Sequence, residues 1–350
     1  MLLTIVVFIF ILGLLVFVHE LGHFLVAKKT GVKVEEFAFG FPPRLWSTKR
    51  GETTYAINLF PLGGYVKLLG EEDGSTDPRS FGKKSIWARA AIMVAGVSMN
   101  FVLAIILMTI GFSIGMTPLV SDPATMNGVK VSKVMVNFVK ENSAASVAGI
   151  KANDVLIGFD STTDLQNFTR SNAGKEVDIT IGNRGQEKVV KVKLSDSTES
   201  PLGVSIVPLT TVKQPVGQAF ITSITETGKV IAALFSFLGN VIGNFFTTGS
   251  AGSAADGVVG PVGLFNITGA AIKIGWIYVL QLVILLSINL GIVNILPFPA
   301  LDGGKLLFLA LEGIFRKKVI REEIENIIHL VGFILLILLF IAITFRDFRR

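Results

Sequence analysis

The chain of 350 residues is 51% hydrophobic and only 17% charged, and its mean hydropathy is +0.64. These values argue against a purely soluble protein, in which apolar residues are fewer and charged residues more frequent. The net charge of +6 is modest and indicates no nucleic-acid partner, and the absence of cysteine excludes disulfides and thiolate metal ligands.

Four long apolar runs lie at about residues 1–27, 90–115, 274–296 and 327–345. Each is close to the roughly 20 residues that an α-helix needs to cross a lipid bilayer. The sequence therefore predicts a polytopic α-helical membrane protein with about four transmembrane helices. The first run lacks the basic start and the small-residue cleavage site of a signal peptide, so we expect a retained helix.

The loop between the first two helices is basic, and the positive-inside rule places it in the cytoplasm and the N-terminus outside. Within this loop, TTYAINLFPLGGYVKLLG predicts two extended runs joined by a tight turn at Gly63-Gly64, where glycine supplies a positive φ. The runs are unusually apolar for a solvated hairpin. We therefore expect a membrane-associated β-hairpin.

The middle of the chain changes character at residues 118–211, where five short β-rich runs alternate with turn residues and one helix is expected near Asp164–Ser171. This pattern predicts one inserted small α+β domain on the outer face. In 217–246, apolar residues recur at spacings near three, four and seven, which indicates an interfacial amphipathic helix. A fifth crossing at about 230–246 is the alternative.

The predicted organisation has four parts. They are 1–117 for the first two transmembrane helices and the hairpin, 118–211 for the inserted domain, 212–273 for the interfacial helix and a loop, and 274–350 for the last two transmembrane helices.

The residues HELGH place a carboxylate and two imidazoles inside the first apolar run. On a helix, His19 and His23 stand one turn apart on one face, where they can hold one Zn²⁺. Glu20 points near the same position and can accept a proton from a water molecule there. A chance match is the alternative, but a charged group at the bilayer centre costs on the order of 3 kcal/mol or more, which favours a functional site.

Two imidazoles leave zinc short of a protein ligand, and Asp302 in NILPFPALDGG is the best candidate. Two crossings separate the first and third firm helices, so both run inward and their ends meet on the same side. A fifth crossing would put Asp302 opposite the histidines, and shared ligation therefore predicts that 217–246 is interfacial. Asp-Gly-Gly is also an ordinary turn sequence. His329, near the start of the last helix, is interpreted as interfacial.

Two buried asparagines and the basic C-terminus have weaker interpretations. Asn294 could donate a hydrogen bond to a substrate or satisfy carbonyls freed by the proline break, and both alternatives stay open. Asn100 is interpreted as an interhelical hydrogen-bonding residue. The tail RDFRR would lie outside, against the charge rule, and the sequence offers no explanation for it.

These motifs jointly resemble one family. HELGH and NILPFPALDGG resemble the site-2 protease family of intramembrane zinc metalloproteases, in the bacterial branch with an extracytoplasmic PDZ domain, the regulator of sigma-E protease type. PLGGYVKLLGE, AGVSMNF, GPVGLF and SAASVAGIKANDVLIGFD resemble further segments of the family, so the resemblance covers nearly the whole chain. Pro42 departs from the usual glycine of the family pattern, and only one PDZ-like domain is present where some members have two.

The resemblance implies cleavage of peptide bonds in or near transmembrane segments of single-span membrane proteins, for example anti-sigma factors or remnant signal peptides. It places the enzyme in the bacterial cytoplasmic (inner) membrane, with the active site toward the cytoplasm and the PDZ-like domain outside. The implied roles are zinc ligation by His19, His23 and Asp302, general base catalysis by Glu20, and substrate binding by Asn294, Gly63 and Gly64. The sequence carries no signal for the oligomeric state.

Two other functions compete with proteolysis. A non-catalytic PDZ membrane scaffold would have a structural or lost metal site, but the interposed Glu20 beside an open coordination position argues against it. An ion transporter using Glu20 and Asp302 would suit broken helices and buried carboxylates. The paired histidines and the lack of a convincing inverted repeat argue against a transporter.

Overall fold

Nine α-helices and seven β-strands lie in the residues that the structure, a computed structural model, describes: 1–71, 75–183, 186–197, 199–248, 258–317 and 320–349. The helices are α1 (Leu2–Lys29), α2 (Ile86–Ile114), α3 (Ala144–Val147), α4 (Thr162–Ser171), α5 (Val216–Thr248), α6 (Pro261–Ile274), α7 (Trp276–Ile295), α8 (Asp302–Phe315) and α9 (Glu322–Arg349). The strands are β1 (Val34–Arg50), β2 (Thr53–Leu68), β3 (Val129–Val139), β4 (Val155–Ile157), β5 (Glu176–Asn183), β6 (Gln186–Lys193) and β7 (Val204–Lys213).

The chain divides into two units. The first consists of Met1–Leu107, Thr227–Gly269 and Leu280–Arg350, and the second consists of Met108–Glu226 and Ala270–Val279.

The four predicted transmembrane helices correspond to α1, α2, α7 and α9. Among the described residues, five helices are long and apolar enough to cross a membrane, and α5 is the fifth. The helix predicted at 217–246 is present as part of α5, which runs for 33 residues. Helix α5 is therefore also long and apolar enough to cross a membrane. Whether it crosses or lies along the surface depends on the directions in which the neighbouring helices run.

Strands β1 and β2 are joined by a tight turn at Gly51 and Glu52. The two runs predicted around Gly63-Gly64 lie in opposite directions but do not pair with each other as a tight hairpin, because residues 54–57 and 64–68 both pair with the same stretch of β1. Both strands bend, and the stretch around Phe37–Phe39 pairs with two separate parts of β2. Gly64 pairs with Phe39 inside β2. A Cβ on Gly64 would lie 2.9 Å from the carbonyl oxygen of Ala38, so glycine serves close packing here rather than a turn.

One apolar cluster joins α1, α2, α8 and the hairpin in the first unit. Its buried members are Ala27, Val32, Val34, Leu68, Ile92, Met93 and Leu309. Close approach of α1 and α2 needs a small residue, because a Cβ on Gly22 would collide with the backbone of Ala95. This packing brings the C-terminal half of α1 against α2.

Helix α8 begins at Asp302 and is an element that the sequence analysis does not predict. Two ion pairs hold α8 in the first unit. Arg89 contacts Glu312 at 2.5 Å, and Lys305 contacts Glu71 at 2.5 Å. The Arg89 side chain is only 8% exposed, so its charge depends on this partner.

Helix α6 is a second element that the sequence analysis does not predict. It packs along the start of α1, where the rings of Phe8 and Phe265 meet edge to face with centroids 5.7 Å apart. Asp347 accepts hydrogen bonds from the backbone N–H groups of Gly260 at 3.3 Å and Gly263 at 2.8 Å. The C-terminal tail thus caps the N-terminus of α6, which gives the tail a structural role.

The second unit contains a five-stranded antiparallel sheet in the order β6-β5-β4-β3-β7, and its five strands match the five predicted β-rich runs. Helix α4 is the helix expected near Asp164–Ser171. Apolar side chains from the sheet and from α4, including Val136, Leu165 and Ile179, form one buried core. Strand β7 pairs with β3 and, at Val212, also forms an isolated antiparallel bridge with Met116.

We expect Arg89→Met to lower the free energy of unfolding by about 3 kcal/mol, because the substitution leaves the Glu312 carboxylate without its buried partner. The measurement is the thermal unfolding midpoint of the detergent-purified protein. The double variant Arg89→Met/Glu312→Met removes both charges and should recover much of the loss. A midpoint for Arg89→Met equal to that of the wild type would contradict the structural role of this pair.

Candidate metal centre

Three side chains converge at one point of the first unit. The Nε2 atoms of His19 and His23 are 3.1 Å apart, and Asp302 Oδ2 lies 3.0 Å from the first and 3.3 Å from the second. These residues form a group that could hold a metal ion. The structure thus brings together the three residues that the sequence analysis predicts as zinc ligands.

Helical spacing explains the first half of this cluster, since His19 and His23 stand one turn apart on the buried face of α1. Asp302 comes from the first residue of α8. The two glycines after it pack on the preceding loop, because a Cβ on Gly303 would collide with the carbonyls of Ile295 and Leu296. Asp-Gly-Gly therefore starts a helix that lies tightly against its own loop, and is not a free turn.

Hydrogen bonds fix the orientation of the His23 ring. Its Nδ1 lies 2.8 Å from the backbone carbonyl oxygen of Ile92, and an N–H must point at this oxygen. The proton of neutral His23 therefore sits on Nδ1. Nε2 keeps its lone pair, which faces the cluster.

Asn100 contacts the other imidazole. This fully buried side chain places its amide nitrogen 3.1 Å from His19 Nδ1, while its Oδ1 has no hydrogen-bond partner among the described residues. A half-turn of the amide pairs Oδ1 with a proton on Nδ1. The Asn100 backbone carbonyl accepts a bond from Ser287 Oγ at 2.7 Å, which ties this position to α7.

The sequence analysis interprets Asn100 only as an interhelical hydrogen-bonding residue. It does form such a bond, but the partner is a candidate zinc ligand. The signal that could have indicated this is its place four residues after Gly96, on the same face of α2.

The donor atoms fit a zinc ion. Ligand bonds of about 2.0–2.1 Å at tetrahedral angles separate donor atoms by about 3.3 Å, close to the three distances observed. Asp302 Oδ2 is buried and has no properly directed hydrogen-bond donor among the described residues, as expected for an oxygen that faces a cation. Burial raises the pKa of the Asp302 carboxyl, whereas hydrogen bonds and charge from His19 and His23, when these imidazoles are protonated in the metal-free site, lower it below its usual range.

Gly96 on α2 keeps the centre open. A Cβ at this position would clash with His23 Nε2 and would lie 2.8 Å from His19 Cε1. Any other residue at position 96 would therefore occupy the space between the two imidazoles.

The remaining predicted site residues lie around the cluster. The Asn294 amide nitrogen is 3.2 Å from His19 Nε2, and the side chain is partly buried. A Cβ on Gly64 would lie 3.4 Å from Glu20 Cγ, so β2 passes directly beside this carboxylate. Gly63 is the neighbouring residue of the same strand. His329 is not part of the cluster, and its Nδ1 accepts a hydrogen bond from the backbone N–H of Ala300.

Two imidazoles and one carboxylate with an interposed glutamate are the residue set expected at the site of a helical zinc metallopeptidase. Comparison with known proteins agrees. The model of peptidase family M50 matches residues 7–339. A protein of Clostridium acetobutylicum named as a candidate zinc metalloprotease is 35% identical, over 98% of this chain and 97% of its own length. Zinc metalloprotease RasP of Bacillus licheniformis is 30% identical, over 99% of both chains.

The regulator of sigma-W protease RasP of Bacillus subtilis is 29% identical, over 99% of this chain and 98% of its own. The chain therefore belongs to peptidase family M50, the site-2 protease family. It is a zinc metalloprotease with several helices that are long and apolar enough to cross a membrane.

We expect Gly96→Ala to abolish zinc binding, because the added methyl group occupies the space between the imidazoles. The measurement is the zinc content of the purified protein by atomic absorption. Gly239→Ala on α5 is the matched control, since nothing lies within 4 Å of a Cβ there. One zinc per chain in the Gly96→Ala variant would show that the described packing is wrong.

Asn100→Leu should weaken zinc binding by about 10- to 100-fold, because His19 loses the partner that holds its proton on Nδ1. Asn100→Asp keeps an acceptor at that place and should retain most of the affinity. Both dissociation constants can be measured by competition with a chromogenic chelator. Equal affinities for the wild type and Asn100→Leu would refute the assigned contact.

Proposed function

We propose that this chain hydrolyses peptide bonds in or near the transmembrane segments of single-span membrane proteins. The observation that carries the proposal is the convergence of His19, His23 and Asp302 on one point between helices whose outer surfaces are apolar. In this proposal the three residues hold zinc, and Glu20 and Asn294 act on the water and the substrate.

Zinc bound at such a site lowers the pKa of a coordinated water to about 7 and polarises a carbonyl. Glu20 is adjacent to His19 on α1 and takes the proton of the attacking water as a general base. Asn294 is close enough to His19 to donate its amide N–H to the carbonyl oxygen of the scissile bond. The sequence leaves two roles open for Asn294, substrate binding and hydrogen bonding to carbonyls freed by the proline break, and a partly buried amide suits both. Only substrate binding requires this amide to lie beside the His19 imidazole.

The edge of β2 is the proposed binding surface for an extended substrate. The segment Gly64–Leu68 pairs with β1 on one side, and within the described residues no other strand pairs with it. A substrate strand added along Gly63 and Gly64 would pass next to Glu20. A peptide bond in a helix is shielded by its own hydrogen bonds, so capture of an unwound segment exposes the carbonyl.

The membrane arrangement that best supports the site has four crossings. His19 near the end of α1 meets Asn294 near the end of α7, so both helices run toward the same side. An odd number of crossings must then lie between them, which favours α2 alone as the return span and α5 along the membrane surface. The basic loop after α1 favours the cytoplasm for this side by the positive-inside rule, and we assign the protein to the bacterial inner membrane as part of this proposal.

The second unit, in this arrangement, is an extracytoplasmic PDZ-like domain. A small groove of about 70 Å³ lies between α4 and the start of β7, lined by residues such as Leu165, Arg170 and Leu202. The size of the groove favours a domain that restricts access of bulky substrates over one that holds a long peptide. The name of the Bacillus subtilis relative refers to sigma-W regulation, and we extend to this chain the substrate class of anti-sigma factors, with remnant signal peptides as a second class.

We expect Glu20→Gln to lower cleavage of a single-span model substrate by about 10²- to 10⁴-fold, because the general base is lost while the zinc ligands remain. Substrate and enzyme are reconstituted in liposomes, and the products are identified by mass spectrometry. Glu141→Gln, at an exposed position of the second unit, is the matched control. Zinc content should be unchanged in both variants.

Three outcomes separate the competing functions. Cleavage by the wild type that a chelator abolishes and zinc restores supports the protease. Zinc binding without any cleavage of several single-span substrates favours the scaffold. Metal flux into liposomes without cleavage favours the transporter.

A further inference from the structure

The third histidine of the chain lies outside the metal cluster but touches the loop that carries Asp302. His329 is on α9, and its Nδ1 accepts a hydrogen bond of 2.8 Å from the backbone N–H of Ala300. Ala300 precedes Asp302 by two residues, in the loop that joins α7 to α8. Helix α9 thus supplies a side chain to the backbone beside a candidate metal ligand.

The backbone of this loop needs support. Ala300 has a φ of +76°, in the left-handed region that residues with a Cβ enter only at a cost in free energy. The loop joins α7 to α8 within 296–301, and the φ angles of its two prolines are fixed by their rings. A residue in this conformation persists when its surroundings determine it. The hydrogen bond to His329 is such a determinant.

The His329 ring is itself held from two sides. Phe308 of α8 meets it edge to face, with ring centroids 5.6 Å apart and planes at 70°. One turn further along α9, a Cβ on Gly332 would lie 2.6 Å from the carbonyl oxygen of Pro299, so α9 packs directly on the loop backbone. The imidazole is therefore placed both against the loop before Asp302 and against the helix after it.

We propose that His329 is a positioning residue for the zinc centre, a role that rests on the proposed ligation by Asp302. Its Nδ1 lone pair keeps the Ala300 N–H in the left-handed conformation, which determines where α8 begins and where its first side chain points. Without an acceptor at this place, the N–H loses its partner and the loop relaxes toward a common φ. The Asp302 carboxylate then leaves the position that faces the two imidazoles.

Variants at position 329 test the acceptor itself. Asparagine places its Oδ1 near the position of Nδ1, glutamine places its Oε1 near that of Nε2, and leucine offers no acceptor. The zinc dissociation constant of each detergent-purified full-length variant is measured by chelator competition. Thermal unfolding midpoints of the zinc-free proteins show whether each variant is folded.

His329→Leu and His329→Gln should bind zinc about 10-fold or more weakly, as for other residues that orient metal ligands. His329→Asn should stay near the wild-type value. Equal losses in all three variants would mean that ring packing matters and the acceptor does not, and wild-type affinity in His329→Leu would overturn the proposal outright.

Two further variants make the test specific. Ala300→Gly in the His329→Leu background should recover zinc affinity in part, because glycine adopts a positive φ without the hydrogen bond. No recovery would contradict the link through Ala300. Asp302→Ala serves as the reference for the proposed function. If it binds zinc like the wild type, ligation by Asp302 is wrong, whereas zinc loss there with normal binding in His329→Leu rejects only the inference about His329.

Discussion

The contact of two imidazole nitrogens with one carboxylate oxygen, at distances of 3.0–3.3 Å, is the constraint on which the rest of the first unit depends. Three polar side chains in an apolar helical setting are unfavourable unless each atom has a partner. The Nδ1 atom of His23 contacts a backbone carbonyl, and the Nδ1 atom of His19 contacts the Asn100 side chain. Both remaining lone pairs then face the Asp302 oxygen, an arrangement that a cation stabilises and that three isolated side chains would not maintain.

Small residues make this convergence sterically feasible. Gly22 lets α1 approach the backbone of α2, Gly96 leaves the space between the imidazoles empty, and Gly303 lets α8 pack on its own loop. The position of the Asp302 carboxylate depends on contacts made by other residues: the ion pairs of α8 and the hydrogen bond from Ala300 to α9. The centre is thus held by contacts among α1, α2, α7, α8 and α9, and its geometry depends on residues that carry no chemistry themselves.

The same packing relates the centre to its proposed substrate. The bent strand β2 passes Glu20 at Gly64, where a side chain would meet the backbone of Ala38. Glycine at this point lets β2 pack closely on β1, and a Cβ there would lie 3.4 Å from Glu20 Cγ, so the segment of β2 that no further described strand pairs with lies beside the carboxylate. In the proposed function, binding of an unwound segment and attack on its carbonyl would therefore involve adjacent parts of one structure.

The sequence by itself determined the apolar helices α1, α2, α7 and α9, the β-rich domain and the identity of the clustered residues His19, His23 and Asp302. Helical period, strand alternation and the cost of charge in a bilayer are local properties that a sequence displays. The sequence analysis misjudged the pairing of the hairpin and did not predict α6 or α8. The structural role of a glycine or of a short apolar segment depends on its packing partners, which the sequence does not display. Only the tertiary structure decided that Asn100 contacts His19 and that His329 contacts Ala300, since these pairs are separated by 81 and 29 residues and no local pattern relates them.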